Sequence, residues 1–184
     1  MRTGFLTFLR DRRGIAAIEM AFIMPFLLFL YFGLVDLTGM ISVNRKTNYA
    51  ASVIADLVTQ NTSATITGTT INDYFKAAEL VMKPEAAADV RFEIYQFRKV
   101  SGVITNQWSK KSTGGTTCGT PSTTGMDKLM VDNNDVIVGV VCMGFTPYIA
   151  TFLGDSILGA TSFNMSEQVA LRPRMVSQMN CTGC

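Results

Sequence analysis

The sequence predicts an α+β protein: a long N-terminal helix that spans a membrane, then an exported domain with a short helix and a mostly antiparallel sheet. Three observations carry this. Residues 15–35 form an apolar run of 21 residues with one charge, Glu19. Helix-compatible sequence then continues to about residue 60 without a strong stop. Beyond Asn61-Thr62-Ser63 the apolar residues come in short alternating or continuous stretches separated by turn residues, the pattern of strands.

The first element is the longest. A run of 21 residues at 1.5 Å per residue matches a hydrocarbon core of about 30 Å. Continued to residue 60, the helix reaches about 69 Å, so its second half must project beyond the bilayer. Ile41, Val53, Ile54, Leu57 and Val58 offer that half an apolar stripe for packing on a globular domain. Pro25 removes a backbone donor and crowds the preceding turn, so a kink is expected there. Gly33 and Gly39 loosen the helix further.

A second, amphipathic helix is predicted from Ile71 to Met82, with Ile71, Phe75, Ala78 and Met82 on one face. Thr70 or Asn72 would cap it and Pro84 would stop it. Val90, Phe92 and Ile94 alternate with Arg91 and Glu93, as in a half-buried strand. Ser101-Gly102 offers a turn, and Val103 to Trp108 the return strand. Residues 109–125, nearly all Ser, Thr, Gly and Lys, read as a mobile loop. Val136 to Val141 is continuous and apolar, as a central strand would be. Thr161 to Leu171 reads as the last strand, with Phe163 and Met165 inward.

The domain organisation follows: a basic leader over 1–14, a transmembrane helix over 15–37, an extension of that helix over 38–60, and a globular domain over 61–184. Lys and Arg number 16 against 14 Asp and Glu, and the total says little. Its placement says more. Arg2, Arg10, Arg12 and Arg13 precede the apolar run, offset only by Asp11, whereas Asp36 and then Arg45 and Lys46 follow it. Positive flanks stay in the cytoplasm, so the N-terminus is expected inside and the bulk of the chain outside. The apolar run is too long for a cleaved secretory signal, and Leu34-Val35-Asp36 is a poor cleavage site. It reads as a retained anchor.

All four cysteines, Cys118, Cys142, Cys181 and Cys184, fall in the exported part, where an even number implies disulfides. Three complete pairings are open. There is no histidine, which removes the commonest general base and metal ligand. Cys181-x-x-Cys184 has the spacing of a redox motif, but such motifs sit at the start of a helix, and here the second cysteine is the final residue. A structural disulfide is the expectation, ahead of zinc binding by the four thiols. Asp132-Asn133-Asn134-Asp135 lacks the ligand spacing of a calcium loop and reads as a polar turn. No metal or cofactor is expected. The basic residues form no patch, so no nucleic-acid partner is expected.

Glu19 is the costly residue of the apolar run. One reading has it reach the headgroups or pair with Arg12 or Arg13. The stretch Gly14-Ile15-Ala16-Ala17-Ile18-Glu19, between a basic leader and an apolar helix, also resembles the processing site of type IV pilins and pseudopilins. That resemblance implies a prepilin peptidase that cuts between Gly14 and Ile15. It also implies an assembly role for Glu19, whose carboxylate pairs with the freed amine of a neighbouring subunit and offsets the burial of both charges. The longer stretch from Arg13 through Glu19-Met20-Ala21-Phe22-Ile23-Met24 to Pro25 resembles the opening of the TadE/TadG-like family of the tight-adherence (Tad) pilus system. Asp56-Leu57-Val58, Pro84 and Arg172-Pro173-Arg174 are weaker echoes.

The family resemblance implies a non-enzymatic minor pilin-like protein of the bacterial inner membrane, with its domain in the periplasm. Its implied partners are other pilin-like subunits, the pilus assembly machinery, the peptidase and inner-membrane lipid, in support of surface attachment. An uncleaved inner-membrane assembly factor is the alternative within this class. An anchored periplasmic thiol-disulfide protein is the alternative outside it.

Overall fold

The computed structural model describes residues 15–153 and 162–184. The leader with Gly14, and Thr161, lie outside them. Helix α1 spans Ile15–Thr59 as one element, with Pro25 inside it. Strand β1 (Thr65–Thr67) leads into helix α2 (Gly68–Met82). Strands β2 (Val90–Val100) and β3 (Val103–Lys111) form a hairpin. Then come β4 (Asp135–Phe145), a six-residue helix α3 (Tyr148–Leu153), β5 (Phe163–Leu171) and β6 (Asn180–Thr182). The expected α+β class is what the chain forms.

Four strands make an antiparallel sheet in the order β3-β2-β4-β5. The β2–β3 turn uses Ser101 at φ 52° and Gly102 at φ 83°. Two positive φ values define the tight turn whose twist suits a hairpin. β4 is central, as its apolar run predicts, and its two faces serve two cores. Ile137, Val141 and Met143 face α1 and α2 together with Phe92, Ile94, Ile54 and Phe75. Val136, Val138, Val140 and Cys142 face the other way, with Tyr95 and Phe97.

That second core corrects two expectations. β2 is buried on both faces rather than half-buried, and Glu93 is fully buried with it. The stretch after β3 is not a free loop. Residues 109–111 belong to β3, and the remainder folds over the far face of the sheet, burying Cys118, Pro121, Met126 and Met130. A disulfide from Cys118 to Cys142 ties it to β4, with Cα atoms 5.6 Å apart. Ser122 N–H donates to Gln168 Oε1 at 2.8 Å, and Gln168 Nε2 donates back to the Ser122 carbonyl at 3.1 Å. Weak local preference was overridden here by a covalent staple and apolar side chains spaced along the loop.

α2 buries Ile71, Phe75, Ala78 and Met82, the face the sequence predicts. Its cap is Thr67 rather than Thr70 or Asn72. The Thr67 hydroxyl accepts from the Thr70 amide at 3.3 Å, and the helix starts at Gly68. The reason is the parallel pairing of β1 with β6, absent from the sequence reading, which fixes Thr65–Thr67 as strand and starts the helix directly after it. Phe163 also differs from expectation. It is 47% exposed, because it sits opposite Phe145 at the last rung of the β4–β5 ladder, whereas Met165 is buried.

The upper half of α1 lies along β4 in the opposite direction. Gly139 approaches Ala51, and the Phe145 ring approaches Gly39. A Cβ on Gly139 would stand 2.7 Å from the Ala51 carbonyl oxygen, so only glycine lets helix and strand close to this distance. The start of β4, with the preceding loop, is therefore at the end of the domain far from the apolar run. The end of β4 is near it.

Candidate functional site

α1 carries the features with functional meaning, and its two halves differ. Every residue from Ala16 to Tyr31 is exposed. Phe22 is 80% exposed and Phe26 66%. Among the described residues this is the one helix long and apolar enough to cross a membrane. A helix apolar on all sides with nothing packed against it needs lipid or other helices around it. Glu19 is exposed within this half, on the turn that follows Ile15. Arg12 and Arg13, its partners in one reading, lie outside the described residues.

The upper half is a packing surface. Val43, Thr47, Ala50, Ala51, Ile54, Ala55 and Val58 are buried. Ile41, expected in the stripe, is 45% exposed, and Val43 takes its place. Small residues dominate where the helix meets β4, which allows the close approach at Gly139. Polar contacts line the edges: Asn44 Nδ2 donates to Glu167 Oε1 at 2.9 Å, and Arg174 pairs with Asp56 at 2.8 Å.

Between the halves stands Asp36, the first charge after the apolar run. It is 8% exposed. Its carboxylate accepts the backbone N–H of Tyr148 at 2.7 Å and of Ile149 at 2.8 Å. Those two donors open α3 and have no intrahelical acceptor. Their bonds to a carboxylate replace the water that Asp36 lost. Ile149 reaches down to Gly33, with Cδ1 3.6 Å from the position a Cβ would take there. Sequence reasoning missed this junction. Asp36 was visible as a boundary charge, but its partners are backbone amides more than a hundred residues away, and no side-chain pattern announces them.

The remaining polar clusters serve the fold. Asp135 is buried, holds Arg98 through two bonds of 2.7 and 3.0 Å, and accepts the Met179 amide at 2.6 Å. That pairing holds the Arg98 guanidinium above its usual pKa. Asp132 accepts from Gly102 N–H. The acids of the Asp132–Asp135 stretch are thus used in structural contacts. Glu93 accepts from Arg91 at 2.7 Å and from the Tyr95 hydroxyl at 2.6 Å. Burial, reinforced by that bond to Glu93, pushes the Tyr95 phenol above its usual pKa. Cys181 and Cys184 pair with each other, with Cα atoms 5.8 Å apart. Cys181 lies in β6, a strand, not at the start of a helix.

A helix bare and apolar along its first half and packed on an antiparallel sheet along its second defines a stalk protein fit for membrane anchoring. Residues 14–56, the stalk itself, match the family model described as TadE-like protein, in agreement with the resemblance its opening residues suggest. The match covers the stalk and not the domain that follows it. No curated protein and no solved structure matches the chain.

Proposed function

We propose that this chain is a minor pilin-like subunit that supports assembly or initiation of a Tad-type pilus. One observation carries the reading: α1 is bare from Ala16 to Tyr31, apolar there apart from Glu19, and committed to the domain above Asp36, within a segment that matches the TadE-like model. The bare half anchors the chain in the inner membrane, with the N-terminus in the cytoplasm and the domain in the periplasm. It also offers its side to the helices of other subunits. Cleavage between Gly14 and Ile15 by a prepilin peptidase frees an amine at Ile15. Glu19 of a neighbouring subunit then pairs with it inside the helix bundle, where each charge relieves the burial of the other. The role is structural rather than enzymatic, and the Cys181–Cys184 pair acts as a staple, not a redox centre. The domain contributes to surface attachment through its place in the assembly.

The test is intact mass with N-terminal sequencing of protein from membranes of cells with and without the peptidase. A chain that begins at Ile15 only when the peptidase is present is the expected result. A chain that begins at Met1 in both overturns the processing step and leaves an uncleaved anchored assembly factor.

A further inference from the structure

The junction at Asp36 sets the start of α3 beside the apolar run of α1. We propose that the start of α3, with Tyr148 outermost, lies in the headgroup layer of the membrane beside the stalk, so that lipid holds the domain at two points. This rests on the reading of α1 as a membrane anchor.

Depth comes from the chain itself. Residues 15–35 rise about 31 Å at 1.5 Å per residue, the thickness of a hydrocarbon core. Asp36 therefore sits at the upper boundary of that core. The amides of Tyr148 and Ile149 are bonded to its carboxylate, so the first turn of α3 shares its level. Ile149 packs at Gly33, three residues and about 4.5 Å deeper along the helix. α3 is thus docked against the apolar run rather than held above it.

Exposure gives the direction. Tyr148 is 65% exposed and Phe163 47%, and on the adjoining stalk Leu34, Leu37 and Met40 are 54%, 53% and 39% exposed. Exposed apolar side chains of the stalk and of the domain therefore occur together at this level. A tyrosine at this level suits the interface, where its ring meets acyl chains and its hydroxyl meets headgroups. The polar backbone at this depth is also satisfied. The first amides of α3, which lack helical partners, are bonded to Asp36, as a low-dielectric layer requires.

The test uses the full chain in phospholipid vesicles. All four native cysteines are paired, so one introduced cysteine carries a nitroxide at a single place. Four variants are compared: L28C within the apolar run, Y148C, F163C, and V131C in the loop at the far end of the domain. Collisions with oxygen and with a water-soluble nickel chelate report depth. The expected order of nickel accessibility is Leu28 lowest, then Tyr148, then Phe163, with Val131 highest, and Tyr148 several-fold below Val131. F163C gives a second reading on an independent element should Y148C disturb α3. Nickel accessibility at 148 and 163 equal to that at 131, with 28 shielded, overturns the proposal and leaves the anchor intact. Labels at 148 and 163 shielded from both oxygen and nickel mean a covering protein and also overturn it. A label at 28 as accessible as that at 131 sinks the anchor reading, and this proposal with it.

Discussion

The two halves of α1 share one backbone and one hydrogen-bonded ladder, yet they obey different rules. From Ala16 to Tyr31 every residue is exposed and all but Glu19 are apolar, among them the large Phe22, Phe26, Leu27 and Leu28. Above it the buried face is built from Ala50, Ala51, Ala55 and Val58, with Ile54 as its largest member. The lower half is selected for a solvent, which asks only for apolarity. The upper half is selected for one partner, which asks for shape. The difference teaches that hydrophobicity alone does not identify an interface in this chain; residue size does.

Truncation should separate the halves most sharply. Ile54→Ala leaves a cavity between stalk and sheet, and is expected to cost about 2–5 kcal/mol of domain stability. Leu27→Ala removes similar volume and should leave domain stability unchanged. Chemical denaturation of both variants in the same detergent checks this, and equal losses would erase the distinction drawn here. Next in size is Leu28→Lys, which should cost about 3–4 kcal/mol in membrane insertion without altering the fold of the domain. Carbonate extraction of membranes reads the first effect and circular dichroism the second. Asp36→Ala addresses the seam. Two α3 amides lose their acceptor, with a loss of about 1–3 kcal/mol, and hydrogen exchange at Tyr148 and Ile149 should accelerate while that of β2 stays slow.

The smallest effect lies on the face of the sheet away from the stalk. Tyr95 has its pKa raised in the folded state, so the unfolded chain releases that proton first as pH rises. Its contribution is therefore complete below the ordinary value of 10.0 and fades as pH climbs through the folded value. Tyr95→Phe should cost about 1 kcal/mol at neutral pH and flatten the fall in melting temperature between neutral and strongly alkaline solution. Neither change should reach the stalk.

Much of this was legible in the sequence, for identifiable reasons. The apolar run, the α2 face at Ile71, Phe75, Ala78 and Met82, and the central strand at Val136–Val141 are local patterns, and local patterns survive folding. The turn at Ser101-Gly102 required positive φ at both residues, and Gly102 announced it. What was not legible depended on pairing across long separations. Three-residue strands β1 and β6 carry no periodicity of their own, so the pair was invisible and the cap of α2 was placed three residues late. The cover over the second core is Ser, Thr and Gly-rich and reads as a loop. Its fixation depends on Cys142, whose partner the sequence left open. At the candidate site, the bare stalk could be read directly, whereas the Asp36 junction is made from backbone amides and could not.

The antiparallel course of α1 along β4 has a mechanical consequence. A chain held by its stalk and dragged by its domain carries the load along the axis of that contact. Gly39 against Phe145 and Ala51 against Gly139 lie in line with such a pull, so the seam is loaded in shear. Every rung must slip together, whereas a helix crossing the sheet at right angles would unzip one contact at a time. The close fit at Gly139 is a tooth in that seam, and the geometry resists tension best along the axis of the stalk.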